Sequence, residues 1–452
     1  MAAKSYEIDM CHGPLAGKIL MFSLPLMLSG MLQLLFNAAD IVVVGRFAGD
    51  EALAAVGSTG SLVNLLINLF VGLSTGANVV VSRALGARDA KYANDAVHTA
   101  ITLSLIGGVM VAFIGIALVK PILHLMSFPD SVLNLAALYL RIYFAGMPAV
   151  LLYNYGSAIL RAMGDTKRPL YILVLSGIVN VVLNLVFVIV FNMSVAGVAI
   201  ATIISQLLSG LLVLRCLANN MGLIKFEPKK LKIHKKKLVQ ILRVGIPSGI
   251  QGMVFSLANI TLQSAINTFG AEKIAGNAAA ANLEGFVYIA MNSFYQSAIT
   301  FTGQNMGAGE YKRIRKILLY CYTFAAVCGL ILGNLMAYFS EPLLKIYTSG
   351  EVAIQTGTLR LAYVCGLYFL CGLMEVSSGV LRGMGLSVIP MIVSLVGACG
   401  LRLVWVWFVF PIFGTMPSLL IIFPISWFVT FSAHLLFIII NYKKLIKRKV
   451  KA

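Results

Sequence analysis

Charge is scarce in this 452-residue chain: Asp, Glu, Lys and Arg together make up 11% of it, and only 16 residues are acidic. With 60% apolar residues and a mean hydropathy of +0.92, that scarcity excludes a soluble globular domain of this length. Ligand-spaced cysteine and histidine are lacking too. The seven cysteines (Cys11, Cys216, Cys321, Cys328, Cys365, Cys371, Cys399) fall mostly inside apolar runs, form no CxxC and are odd in number. They imply neither a disulfide framework nor a metal site. The five histidines are scattered at loops and span ends, and HExxH, GxSxG and Walker patterns are absent. Those absences argue against an enzyme, a cofactor and ATP hydrolysis by this chain, and no ATPase subunit is expected. The first 18 residues carry Glu7, Asp9 and His12 where a cleaved signal peptide would be basic and then apolar. The first span itself is therefore expected to direct insertion.

Long apolar runs are what the chain has instead. A spanning helix needs about 20 mainly apolar residues. Such runs fall at 19–43, 52–82, 96–120, 131–160, 169–191, 195–218, 238–268, 277–304, 316–340, 352–381, 387–411 and 417–441. The fold class that follows is an all-α polytopic membrane protein of about twelve transmembrane helices. A net charge of +19 invites a nucleic-acid reading, but the basic residues sit in short clusters between apolar runs. They read as topology signals. Lys225, Lys229, Lys230, Lys232, Lys235, Lys236, Lys237 and Arg243 join spans six and seven. Lys312, Arg313, Arg315 and Lys316 follow span eight, and Lys443, Lys444, Lys447, Arg448, Lys449 and Lys451 form the tail. The opposite loops carry only Arg46, Lys120, Lys273 and Lys345. Both termini are therefore expected in the cytoplasm of a cell-membrane protein.

The chain also repeats itself. Leu160-Arg161-Ala162-Met163-Gly164 returns as Leu381-Arg382-Gly383-Met384-Gly385, 221 positions later, and Gly86-Ala87 returns as Gly307-Ala308. Pro25 and Asn37 recur as Pro247 and Asn259 after 222. Two six-helix lobes, 1–218 and 238–452, are expected to flank a basic cytoplasmic linker at 219–237. Because each lobe starts and ends on the same side, the repeat is parallel, with a central cavity expected on its axis, as in rocking transporters.

Three acids cannot be placed in loops: Asp40 in span one, Glu284 in span eight and Glu375 in span ten. Each costs roughly 2.5 to 3.5 kcal/mol at mid-bilayer unless neutralised, paired or hydrated, so such residues mark function by default. Gln33, Asn37 and Asp40 share one helix face, and Asn180 and Asn184 form a second polar stripe on span five. The plainer alternative is that Asp40 ends span one before Gly45 and that the asparagines bond neighbouring helices. Arg402, read as the only basic residue near the middle of a span, needs an acidic partner or a cavity, and Glu284 or Glu375 is expected to supply that partner. An ion pair there would serve either structure or transport. Pro25 removes a helical hydrogen bond early in span one and is the expected hinge. The duplication does not preserve this chemistry: Asp40 aligns with Leu262, and Glu375 with Asn154.

Pro25, the Asn37 to Asp40 stretch NAAD, Gly86-Ala87, the LRAMGD and LRGMGL turns, and Gly303 to Gly309 (GQNMGAG) carry a resemblance. Over nearly its whole length the chain resembles multidrug and toxic compound extrusion (MATE) transporters. The resemblance implies two six-helix lobes around a cavity and export of small amphipathic organic cations against protons or sodium. In the proton-linked branch, a span-one aspartate works with polar residues of spans four, five and six, and Asp40, Tyr139, Asn180 and Thr202 stand at those positions. That branch often has an aspartate where this chain has Asn184, so both H+ and Na+ stay open, with sodium at these same coupling residues. The other branch has an acidic site in spans seven and ten, where this chain has Cys371 with Glu375 one turn on. A lipid-linked oligosaccharide flippase of the same superfamily would line its cavity with cations, for which Arg402, Arg141 and Arg360 are available. An intramembrane lipid-modifying enzyme would need an acid, base or metal cluster at one interface, and the sequence displays none.

Overall fold

The computed structural model describes residues 6–126, 130–220 and 222–451. Residues 1–5 of the first expected lobe, Met221 of the expected linker and Ala452 lie outside them, as do the side chains of Arg448, Lys449 and Lys451 in the expected tail. Among the described residues, helix is the only regular structure. A bilayer imposes that, because hydrocarbon offers no partner to an unpaired backbone amide.

The first six spans are Leu15–Phe47, Asp50–Gly86, Ala90–Leu125, the pair Asp130–Ala145 and Met147–Ala162, Lys167–Val190, and Ser194–Ala218. The second six are Lys235–Phe269, Ala271–Gly307, Tyr311–Tyr338, the pair Glu351–Cys365 and Phe369–Gly383, Val388–Phe413, and Met416–Lys447. Nine helices among the described residues are long and apolar enough to cross a membrane, and the two bent pairs bring that number to eleven. Span eight is the exception. It is interrupted by Asn277, Glu284, Asn292, Gln296, Gln304 and Asn305, and it packs against spans nine and ten in the interior of its lobe, where apolarity toward lipid is not required.

The repeat extends to details of the backbone. Spans four and ten bend by 48° and 47° at their midpoints. In span four the break falls at Gly146 and Pro148, where the proline ring has no N–H to continue the helix. The two LRxMG turns are the same cap: Gly164 donates to Arg161 O at 2.9 Å and Asp165 to Leu160 O at 3.0 Å, while Gly385 donates to Arg382 O at 2.7 Å and Leu386 to Leu381 O at 2.9 Å. This Schellman closure needs a left-handed residue, and the two glycines supply φ of +87° and +73°. Spans two and eight close with the same bonding pattern, but the left-handed residue is Arg88 (φ +55°) in one and Gly309 (φ +70°) in the other.

The chain divides into two compact units. Unit 1 comprises 1–8 and 28–245, and unit 2 comprises 9–27 and 246–452. Two helices therefore change unit within their length, span one at Met27/Leu28 and span seven at Gly245/Ile246. Pro25 and Pro247 lie inside those helices beside the two crossings. Within unit 1 the core joins Ile101, Tyr155, Ile159 and Leu217 to Ile224 and Phe226 of the linker. Within unit 2, Leu262, Met291, Tyr368, Leu419 and Trp427 form the main cluster. Phe113, Leu125, Phe191, Trp407, Phe408 and Ile412 are exposed, as side chains facing acyl chains must be.

Candidate functional site

In unit 1 the register of span one against span five is fixed by size. A Cβ at Gly177 would stand 2.0 Å from the Phe36 ring, so the ring occupies the notch that only glycine leaves. One turn after Phe36 comes Asp40; two turns after Gly177 comes Asn184. They meet: Asn184 Nδ2 donates to Asp40 Oδ1 at 2.5 Å. The same amide donates to Asn180 Oδ1 at 3.3 Å, Asn180 Nδ2 reaches Thr202 Oγ1 at 3.5 Å, and the Thr202 hydroxyl donates to Val198 O at 2.9 Å. Spans one, five and six thus share one chain of polar groups inside the membrane. Span five changes to π-helix at Val186–Val190, immediately after this cluster. Such bulges recur at functional sites, where the widened turn frees backbone groups.

Asp40 is half-buried and has no ion pair among the described residues. Asn184 is fully buried, and its Oδ1 has no hydrogen-bond partner among the described residues, although both its amide hydrogens are used. Tyr139 stacks on Tyr143 with ring centroids 6.2 Å apart and stands within Coulombic reach of Asp40. Five of the six expected ion-coupling residues therefore sit together: Asp40, Asn184, Asn180, Thr202 and Tyr139. Asn37 is exposed and takes no part in the hydrogen-bonded chain. It shares a helical stripe with Asp40, but the stripe is wider than the contact with span five.

Unit 2 differs from expectation at its charges. Glu284 does not pair with Arg402. Arg360 takes it in a two-pronged bond, Nε to Oε1 at 2.6 Å and Nη2 to Oε2 at 2.8 Å, with Nη1 donating to Asn277 Oδ1 at 2.7 Å. Arg402 instead donates to Ser426 Oγ at 3.1 Å and Asn259 Oδ1 at 3.3 Å, and lies 4.7 Å from the Phe423 ring centroid. Glu375 has no ion pair among the described residues either, so neither acid serves Arg402. Arg402 is also not the only buried cation within a span: Arg360 is buried inside span ten, and Arg382, in the last turn of that span, is buried and donates to the Tyr295 hydroxyl and to Gln251 Oε1 at 2.7 Å. Position alone hid Arg360. It lies 76 residues from Glu284, and only the packing of span ten on span eight brings the two together.

The profile of the MatE family matches this chain twice, at residues 25–186 and 247–408. The protein named "Probable multidrug resistance protein YoeA" of Bacillus subtilis (strain 168) is 28% identical over 389 residues, 84% of each chain. The protein named "FAD transporter" of Shewanella oneidensis is 26% identical over 351 residues, 76% of each chain. Among solved structures, a MATE in complex with MaL6 superposes with a TM-score of 0.91 at 24% identity, covering 98% of this chain and 100% of that one.

Proposed function

The chain belongs to the MatE family of membrane transporters, and from that premise we propose that it is a secondary active multidrug exporter driven by an ion exchanged at Asp40. The observation that carries the proposal is a carboxylate in span one without a counter-ion among the described residues, held by Asn184 at the head of a polar chain. A proton, a cation or water relieves the cost of such a charge, and the first two do so by cancelling it. Protonated, Asp40 becomes a donor, and the Asn184 amide can turn its unpartnered Oδ1 toward it. With sodium, the oxygens of Asp40, Asn180, Asn184 and Thr202 form the hard donor set that such an ion prefers. Either event removes the negative charge and so changes the affinity of the protein for a second cation, the minimal coupling an antiporter needs.

Pro25 is proposed as the flexible point of span one, and both termini are assigned to the cytoplasm on the distribution of Lys and Arg. The cargo proposed is small amphipathic organic cations, supported by the multidrug names borne by relatives such as YoeA. A second reading, an anionic cargo bearing a diphosphate, is supported by Arg382 and Arg402, which are buried without a carboxylate partner among the described residues. The flavin nucleotide in the Shewanella relative's name has that chemistry.

The test is efflux from vesicles, with proton and sodium gradients collapsed separately and a cationic dye run beside a flavin nucleotide. Asp40→Asn is expected to express normally and to lose gradient-driven efflux. Wild-type transport by that variant would sink the assignment. Loss of nucleotide but not dye transport in Arg402→Gln would favour the second cargo.

A further inference from the structure

The linker between spans six and seven is built into unit 1, not draped over it. Residues 224–227 alternate as an extended strand does, with Ile224 and Phe226 turned into the core and Lys225 and Glu227 turned out. Two side chains at the start of span three pin this segment by its backbone. Asn94 donates to Leu223 O at 3.0 Å and accepts from Lys225 N–H at 2.8 Å. His98 Nδ1 lies 2.8 Å from Asn94 O, so that nitrogen carries the proton and Nε2 accepts the Glu227 N–H at 3.2 Å, while the ring stacks on Phe226 at 5.5 Å. Further along, His234 N–H donates to Thr99 Oγ1 at 3.1 Å. The Lys237 ammonium sits over the Tyr92 ring, and the Tyr92 hydroxyl bonds Gln240.

These contacts frame a concavity of about 590 Å³ whose rim carries Lys91, Lys225, Lys229, Lys230 and Lys232. Of its two acids, one is engaged by a lysine and the other stands near a histidine. Glu227 accepts from Lys230 Nζ at 2.9 Å, and that bond holds its carboxyl below the usual range, while Asp95 faces His234 at 3.6 Å. Lys91, Lys225, Lys229 and Lys232 remain without an ion pair among the described residues. Spans three and seven both begin here, and helix N-termini add positive potential to a site of this kind. Setting the topology of the chain asks only that lysines be present in the loop. It does not ask that the loop be bonded through its main chain into a fixed cup.

We propose that this cup binds a phosphate-bearing anion, either the headgroup of an anionic lipid or a free phosphorylated compound. Four ammonium groups carried on a main chain already bonded into place meet a phosphate without that main chain first losing the freedom of a loose loop. A diffuse basic loop would show charge-dependent attraction but no saturable site.

The test uses the full-length transporter in zwitterionic phosphatidylcholine nanodiscs, titrated separately with pyrophosphate and with dioctanoyl phosphatidylglycerol. Saturable binding of at least one probe is expected. It should weaken at least about tenfold in Lys225→Gln/Lys229→Gln/Lys232→Gln and change by less than about twofold in Lys443→Gln/Lys444→Gln/Lys447→Gln on the tail. All six lysines are exposed, so both variants should fold, and unchanged thermal unfolding checks this. Binding of pyrophosphate identifies a soluble phosphate ligand; binding of the lipid alone identifies the headgroup. Failure of both probes to saturate, equal weakening in the two triple variants, or no weakening in the first would each overturn the proposal.

Discussion

Glu284 and Arg360 hold each other through two hydrogen bonds of 2.6 and 2.8 Å in the interior of unit 2, and the third prong of the guanidinium goes to Asn277. A pair this complete has little charge left to offer a passing ion, and it ties span eight to span ten. Removing one partner should cost about 3 to 5 kcal/mol because the other charge is left buried alone, whereas removing both should cost much less. Unfolding of Glu284→Gln in detergent is thus expected at a clearly lower midpoint, with Glu284→Gln/Arg360→Met recovering most of the loss. A double variant as unstable as the single one would contradict this expectation. Asp40 is the opposite case, with one amide donor and no cation beside it among the described residues. Both acids stand out in the sequence as charges in apolar runs, and the same signal marks an ion-paired acid and an unpaired one alike. What separates them is the partner, and partners are made by packing.

Elements meet here through missing side chains. Phe36 fills the notch at Gly177, while a Cβ at Gly333 would lie 2.2 Å from the carbonyl oxygen of Cys365. The two contacts predict different genetics. Gly177→Ala should impair folding and transport, and Phe36→Ala should rescue it, because the obstacle is a side chain that can be shortened. Gly333→Ala should resist rescue by any substitution at Cys365, because the obstacle is backbone. Expression and transport of the four variants check both statements. The duplication offers a further comparison at the ends of spans two and eight. Arg88 adopts the left-handed conformation that Gly309 adopts in the other copy, a conformation that costs a side-chain-bearing residue roughly 1 to 2 kcal/mol. Arg88→Gly is expected to raise the unfolding midpoint, since Arg88 is exposed and its replacement removes no core contact. A lowered midpoint would show that the arginine side chain matters more than the backbone. The caps themselves were legible in the repeated LRxMG pentapeptide; the bends of spans four and ten were not, because Pro148 has no counterpart at 366–369, where Gly366 alone marks the second break.

For the whole molecule, the distribution of Lys and Arg predicts sidedness. In a background free of reactive cysteine, Lys443→Cys should react with an impermeant maleimide only from the cytoplasmic side, and Lys345→Cys only from the other. Labelling of both from one side would reverse or break the assigned topology. The amino-acid sequence by itself determined that this is a membrane protein of twelve helical passages in two copies of one plan. Hydrophobic run length, charge in the loops and a repeated cap are local properties, written residue by residue. It also marked Asp40, Asn180 and Asn184 as polar groups out of place in lipid, and the family resemblance added Thr202. Tertiary structure alone decided that those four form one hydrogen-bonded chain, that Arg360 and not Arg402 neutralises Glu284, and that span eight tolerates its polar residues inside its lobe. It also made a cup of a linker that otherwise reads as a run of lysines. Each of those outcomes depends on which helix face meets which, and that is set by close packing between residues far apart in the chain, where sequence spacing carries no information.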